Sequence, residues 1–400
     1  MPVSEPGPAR PGSSTPIGSA AERRLKVLFV TRKWPPAVGG METYCVELVE
    51  ELKAAVDLEV LALPGRRKGD PPGLLALLAF FARAAWHLAR QGGRYDVFHL
   101  SDLVLAPLAR LNRAMNPDCR NVVSAHGTDI AFGLRRGWKP ALYRRFLGWT
   151  ARHRDALDAV VANSRATRRQ CERAGLDRVV VVPLATRSTG AAPAAVPPEP
   201  YVLFVGRLVR RKGAGWFIRE VLPRLPEEIT LKIAGTLWDP DEGSALESPR
   251  VAFLGPVFGA ELAELRRRAI AVIMPNVPLG GRDFEGFGLT ALEAAADGGV
   301  LLASGIDGIV DAVADGRTGF LLEPEKPALW VERILEIRDW SGAQRQAFLA
   351  GARDTVRDQF CWSRVAAETI GVYRRACDRR RRLRKAPRRL EKQLGPLGQR

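Results

Sequence analysis

Two carboxylates, Glu285 and Glu293, stand eight residues apart in the stretch RDFEGFGLTALEAAADGG (282–299). A Gly286-Phe287-Gly288 break and the start of an apolar helical pattern separate them. The two glycines let backbone come close to a ligand, and a helix beginning near Leu289 aims its free N–H groups the same way. Glu285 precedes that helix and Glu293 lies about one turn inside it, so both can face one ligand. Carboxylates only accept hydrogen bonds, which suits sugar hydroxyls. Taken alone, the pair also fits a plainer reading, with Glu293 offsetting the helix macrodipole and Glu285 a solvated loop acid.

A second stretch, GRLVRRKG (206–213), brings cations to an equivalent place. A β-branched run ends at Arg207, and Lys212 follows five residues later, where the next helix should begin. A guanidinium that forks onto phosphate oxygens, a compact ammonium and a helix N-terminus together suit a diphosphate. By themselves the two residues fit surface charges beside a turn equally well.

Two further loops carry reactive types. In TRKWPPAVGGMETY (31–44), Gly39 and Gly40 open a helix and Glu42 falls in its first turn. The stretch lacks the G-x-G-x-x-G fingerprint of dinucleotide sites, which argues against a nicotinamide enzyme. In SAHGTD (124–129), a strand closes on His126 and Asp129. A strand-end histidine followed by glycine serves either a site or a hydrogen-bonded turn. No H-x-x-H or H-E-x-x-H pattern occurs, so no metal is invoked.

These residues need elements to hold them. Apolar, β-branched runs at 25–31, 56–63, 96–101, 121–127, 159–164 and 179–185 alternate with helical patterns at 42–54, 73–91, 103–115, 137–154 and 164–174. After the Pro/Ala/Gly-rich segment 186–200, runs resume at 201–207, 229–235, 251–257, 271–276, 300–305 and 319–324. Strand–helix alternation of this kind predicts doubly wound parallel sheets with ligands at the C-terminal strand ends. The expected layout is α/β throughout. A disordered tail (1–24) precedes an N-terminal Rossmann-like domain (25–186), a linker (187–200) and a C-terminal Rossmann-like domain (201–357). A helix over 358–377 should then return to the first domain, ahead of a basic tail (378–400).

Composition narrows the function. The 400 residues suit two such domains, and the longest apolar run, GLLALLAFFARAAWHLAR, meets Arg83 too early to span a bilayer. The first 24 residues have no apolar core of a signal peptide, and five scattered cysteines without CxxC spacing fit reduced thiols. A cytoplasmic protein is expected. The formal charge of +17 is uneven: residues 379–400 hold ten Lys/Arg against Glu391 alone, and 130–154 hold seven with no acid. Such excess implies an anionic partner. Nucleic acid is disfavoured, because no recognition motif or interleaved aromatic platform accompanies the charge.

In their order and spacing these motifs resemble the retaining nucleotide-sugar glycosyltransferases of family GT4, over residues 25–376. They are GGME, HGTD, Asn163-Ser164, GRLVRRKG and Glu285-x7-Glu293. The resemblance implies the GT-B fold, two Rossmann-like domains facing across a cleft, with the acceptor on the N-terminal one and the donor on the C-terminal one. It implies that Arg207 and Lys212 bind the diphosphate of a UDP- or GDP-linked sugar and stabilise charge on the leaving group. The glycine pair Gly39-Gly40 would offer backbone N–H from Gly40 to the distal phosphate. Glu293 would hold the ribose, Glu285 the donor sugar, and the backbone of Phe287, Gly288 and Leu289 would approach sugar and phosphate. His126 would lie near the transferred sugar, and the base near Gly235 and Val257. Asp129 and Glu42 are the acceptor-side candidates. No covalent nucleophile, cofactor or divalent cation is implied. Two stretches depart from the family pattern: MPNVPLGGRDFEGFG is longer and richer in glycine, and ADGGVLLASGIDGI lacks a proline often found there.

For the acceptor, residues 134–154 place Leu142, Phe146 and Trp149 on one helix face with Arg145 and Arg152 beside them. That pattern fits docking on an anionic membrane surface, aided by the tail 378–400, and equally fits an ordinary helix packed on a sheet. A saccharide or lipid-linked saccharide is the acceptor class, and the inner face of the plasma membrane the expected place. A nucleotide-sugar epimerase or a phosphorylase on the same fold is the alternative activity. The phosphorylase requires a pyridoxal-phosphate lysine, for which no candidate stands out.

Overall fold

The structure, a computed structural model, describes residues 23–37, 39–65, 72–187, 196–281 and 283–393, with side chains through Arg379. The first 22 residues, the middle of the 187–200 linker and most of the basic tail's side chains lie outside this set.

All twelve expected strands form. Six make an all-parallel sheet in the order β2-β1-β3-β4-β5-β6: β1 (Lys26–Trp34), β2 (Asp57–Pro64), β3 (Val97–Leu100), β4 (Arg120–Ala125), β5 (Ala159–Ala162) and β6 (Val179–Val181). The other six make a second parallel sheet in the order β12-β11-β10-β7-β8-β9. They are β7 (Tyr201–Val205), β8 (Thr230–Ala234), β9 (Val251–Gly255), β10 (Val272–Met274), β11 (Leu301–Ser304) and β12 (Phe320–Leu322).

Strand β1 shows why its central stretch Val27–Val30 is apolar. Successive side chains point to opposite faces, and both faces are covered by helices. Leu28 and Val30 pack with Phe80, Ala84 and Leu88 of the helix Leu74–Gln91, and with Leu108 and Leu147. Val27 and Phe29 face the other way, onto Leu48 and Leu52 of the helix Gly40–Ala55.

That second face is also where the C-terminal helix lands. It starts at Trp362, later than expected, and its backbone stays helical to Gln393, so the expected break near residue 377 is absent. Its Val365, Val372 and Tyr373 are buried, each worth roughly 1.5–3 kcal/mol on removal from water. The Tyr373 hydroxyl lies 2.5 Å from His99 Nδ1 on β3, and the Arg364 guanidinium donates to the Pro183 carbonyl at 2.7 Å. This helix therefore ties the chain's end to the first lobe. The His99 ring is wholly buried between Tyr373 and Ser124, and burial pulls its pKa down to about 3, with His126 adding to the shift.

Candidate active site

The cations of GRLVRRKG are positioned by a sharp turn. Strand β7 ends at Val205, the chain makes a single 3-10 turn over Arg210–Lys212, and Gly213 then enters the helix Ala214–Glu220 at φ 74°. Glycine is needed there for two reasons. The left-handed region penalises other residues, and a Cβ would lie 1.9 Å from the Pro275 carbonyl oxygen. The turn drives Arg211 and Lys212 inward and leaves Arg207 exposed at the edge, its guanidinium 4.7 Å from the centre of the exposed Trp238 ring.

Glu285 meets the inward cations. Its Oε2 accepts from Lys212 Nζ at 2.7 Å, from Arg211 Nη1 in a short ion pair, and from Asn276 Nδ2 at 3.3 Å. Its backbone N–H donates to Asp307 at 3.1 Å. All three side-chain donors use one oxygen. Burial opposes charge on Glu285, yet the Lys212 and Arg211 charges prevail and hold its carboxyl far below the usual carboxylate range. Burial lowers the Lys212 ammonium in turn, with Glu285 working against that. The Arg207 charge is felt at Lys212, and the Glu285 and Arg211 charges at Arg207, so the three predicted groups share one electrostatic site.

Sequence reasoning missed Arg211, which is 5 % exposed and holds Glu285 more closely than Lys212 does. The run RRK offers no sign of which cation turns inward; the 3-10 turn before Gly213 decides it.

The second carboxylate is set apart from the first. Glu293 lies about one turn into the helix Leu289–Ala296 and pairs with Arg266 at 2.7 Å, while Asp297 takes the same guanidinium at 2.5 Å. Glu285 and Glu293 have different ion-pair partners. One carboxylate turns into the cation cluster, the other toward the helix Gly259–Arg268. Gly288 stands at φ 96° as the cap of its helix, and the Phe287 side chain is buried in the core, so only its backbone is available to a ligand. Gly235 crosses the chain at Gly206, where a Cβ would lie 1.8 Å from the Gly206 carbonyl oxygen. Val257 is half-buried just beyond β9.

The first lobe presents its own residues to this cluster. His126 ends β4, its Nε2–H donates to the Ser101 carbonyl at 2.8 Å, and its ring meets Tyr44 edge-on at 4.6 Å. The ring is thereby fixed, and the His126 carbonyl accepts from Asn163 Nδ2 at 3.2 Å. Across the cleft, a Cβ on Gly286 would lie 2.2 Å from that same carbonyl oxygen. A Cβ on Gly40 would lie 3.2 Å from Leu289. Gly40 and Gly286, two of the glycines singled out in the sequence, thus lie where the lobes touch. Thr167 donates to the Gly286 carbonyl at 3.3 Å, Arg165 pairs with Asp311 at 2.5 Å, and Arg135 pairs with Asp283 at 2.9 Å.

The two acceptor-side candidates face inward instead. Asp129 accepts from the backbone N–H of His126 at 2.9 Å and of Leu103 at 3.4 Å, and burial raises its pKa. Glu42 pairs with Lys33 at 3.1 Å. Both carboxylates hold loops. The half-buried Arg32, paired with the buried Asp102 at 2.9 Å, is a cation that the sequence did not single out.

Comparison with known proteins bears on family and fold. Residues 38–186 match the model of Glycosyltransferase Family 4, and residues 199–339 match that of Glycosyl transferases group 1. A glycogen synthase of Mycobacterium tuberculosis is 31 % identical over 302 residues, 70 % of this chain and 69 % of that protein. A D-inositol 3-phosphate glycosyltransferase of Paenarthrobacter aurescens is 30 % identical, and the match spans half of each chain. Among solved structures, a sucrose-phosphate synthase of Thermosynechococcus elongatus superposes with a TM-score of 0.69 at 21 % identity, covering 88 % of this chain and 98 % of that one. The Anabaena protein Alr3699/HepE, in complex with UDP-glucose, gives 0.65 at 18 % identity over 87 % and 100 %. Two parallel six-stranded sheets, their facing glycine turns and these matches lead to one conclusion: the chain belongs to the family 4, group 1 glycosyltransferases and has the GT-B fold.

Proposed function

We propose that this protein transfers a hexose-type sugar from a nucleoside diphosphate sugar to a hydroxyl of a saccharide or lipid-linked saccharide, with retention at the anomeric carbon. The observation that carries the reading is the cluster of Arg207, Lys212 and Glu285 beside the glycine-opened helix, closed over by Gly40 and the His126 turn. Departure of the sugar leaves an anionic diphosphate and an oxocarbenium-like ring, so fixed cations aimed at the phosphates are the main catalytic need. Arg207 and Lys212 supply them, and the free N–H groups at Leu289 and Gly40 complete the cradle. These groups can balance the diphosphate without a bridging divalent cation. Oε1 of Glu285 receives a hydroxyl of the donor sugar, and Glu293 the ribose. Attack by the acceptor on the face that the diphosphate leaves requires no protein nucleophile. UDP-glucose is the favoured donor, since a fold neighbour holds it. The setting is cell-surface polysaccharide or glycolipid synthesis at the inner face of the membrane.

A thermal-shift panel of UDP-, GDP- and ADP-glucose tests the donor, because a ligand of the native state raises the melting temperature. Product analysis by NMR then reads the anomeric configuration. No shift with any sugar nucleotide would refute the reading. Inversion would refute the stereochemistry alone. Epimerised donor in an acceptor-free reaction would favour the epimerase.

A further inference from the structure

The helix Leu74–Gln91 is apolar on two opposite sides. Its inward stripe is Phe80, Ala84 and Leu88, spaced four residues apart and buried on the sheet. Its outward side carries Leu75, Leu78, Ala79, Ala82 and Trp86, also at helical spacing, with Leu75 82 % and Trp86 61 % exposed. An ordinary surface helix is polar on its outer side, and one that is apolar all round is normally covered on both. Arg83 and Arg90 border the outward stripe, and the Arg90 guanidinium lies over the Trp86 ring at 4.1 Å.

A second helix of the same lobe repeats the pattern. Trp138–Arg152 packs Leu147 and Phe146 into the same core cluster as Phe80 and Leu88, so both helices lie on one face of the first sheet. Its inner residues Phe146 and Trp149 are half-buried, leaving the exposed apolar side to Trp138, 73 % exposed, and Leu142. The exposed Arg136, Lys139 and Arg145 flank these two in sequence. Neither 72–95 nor 130–154 contains an aspartate or glutamate. Leu74, Leu75, Leu78, Trp138 and Leu142 fall in the first two turns of their helices. In a parallel sheet with returning helices, those turns lie at the C-terminal ends of the strands. That is the edge that brings His126 to the cleft.

We infer that these two helices form one docking face for an anionic phospholipid surface, with the leucines inserted below the headgroups and the tryptophans and arginines among them. The charge selects this occupant. A second copy would bring one basic, acid-free face against another across a two-fold axis, whereas anionic headgroups neutralise it. The inference deepens the proposed reading by placing a lipid-linked acceptor beside the cleft, and rests on that reading only for the acceptor.

The test is flotation of the full chain with phosphatidylcholine vesicles containing about 30 % phosphatidylglycerol, at physiological salt. The native protein floats with these vesicles and not with phosphatidylcholine alone. Leu75→Glu with Leu78→Glu reduces the bound fraction's partition coefficient by roughly tenfold or more. Both side chains are exposed, so the double variant keeps its melting temperature and its UDP-glucose shift. That shift also separates the two ideas: lost flotation with an intact donor response concerns docking alone, and an absent donor response in the native protein concerns the transfer reaction alone. Undiminished flotation of the double variant would overturn the inference. So would light scattering that finds a native dimer, split by the variant, without vesicle binding.

Discussion

Replacing Glu285 by Gln gives two effects of opposite sign. The carboxylate is the counter-charge of Arg211 and Lys212, and all three groups are largely buried. Breaking a buried ion pair from one side leaves uncompensated charge and costs about 3 kcal/mol. For a lobe of this size that lowers the melting temperature by roughly 6–12 °C. A bound diphosphate brings its own negative charge to the same cations. In the native protein it is repelled by Glu285, by about 2 kcal/mol per unit charge at roughly 8 Å and an effective dielectric of 20. Removing that repulsion should tighten UDP binding by roughly tenfold or more, while transfer falls because the donor sugar loses its carboxylate. The assay is a melting curve with and without UDP, paired with calorimetric titration. A variant as stable as the native protein, or one that binds UDP more weakly, would refute the assignment of Glu285 as the counter-charge of the proposed phosphate-binding cations.

Three further outcomes follow from the same geometry. Arg207→Ala removes an exposed side chain, so folding is retained while transfer falls by roughly 100-fold, the size of one oriented electrostatic donor; near-normal turnover in a steady-state assay would remove its role. Gly286→Ala sets a Cβ 2.2 Å from the His126 carbonyl oxygen; the lobes should be forced apart, with a larger radius of gyration in solution scattering and a lower kcat/KM, and an unchanged radius would contradict the closed contact. His99 has a folded pKa of about 3, below the usual histidine value near 6.5. Its contribution to stability is therefore fully present above pH 6.5 and is lost as pH falls toward 3, by at most about 1.4 kcal/mol per unit. A His99 ring resonance that titrates near pH 6.5 in the native protein would show this to be wrong.

Much of the fold was legible because parallel strands covered on both faces must be apolar along their whole length. Runs such as LKVLFVT and YVLFVGR leave few other structures open. The candidate site's glycine turns were legible, since Gly40, Gly286 and Gly288 stand where chains approach closely or φ is positive. Side-chain direction was not. Arg211 turns inward because of the tight turn before Gly213, and Glu293 turns aside because Arg266, distant in sequence, is folded against it. In the Leu74–Gln91 helix, Arg83 interrupts the apolar run too early for it to span a membrane, and among the described residues no helix is long and apolar enough to do so. Only the packing of Phe80, Ala84 and Leu88 against the sheet reveals that its other side is left uncovered.

The central claim is that the cations after β7 hold a diphosphate while a sugar leaves it. The most direct measurement is a crystal structure of the protein with UDP bound. The phosphate oxygens should lie within hydrogen-bonding distance of Lys212 Nζ and the Arg207 guanidinium, at the N-terminal end of the helix Leu289–Ala296. A nucleotide seated elsewhere, with those two side chains untouched, would contradict the account.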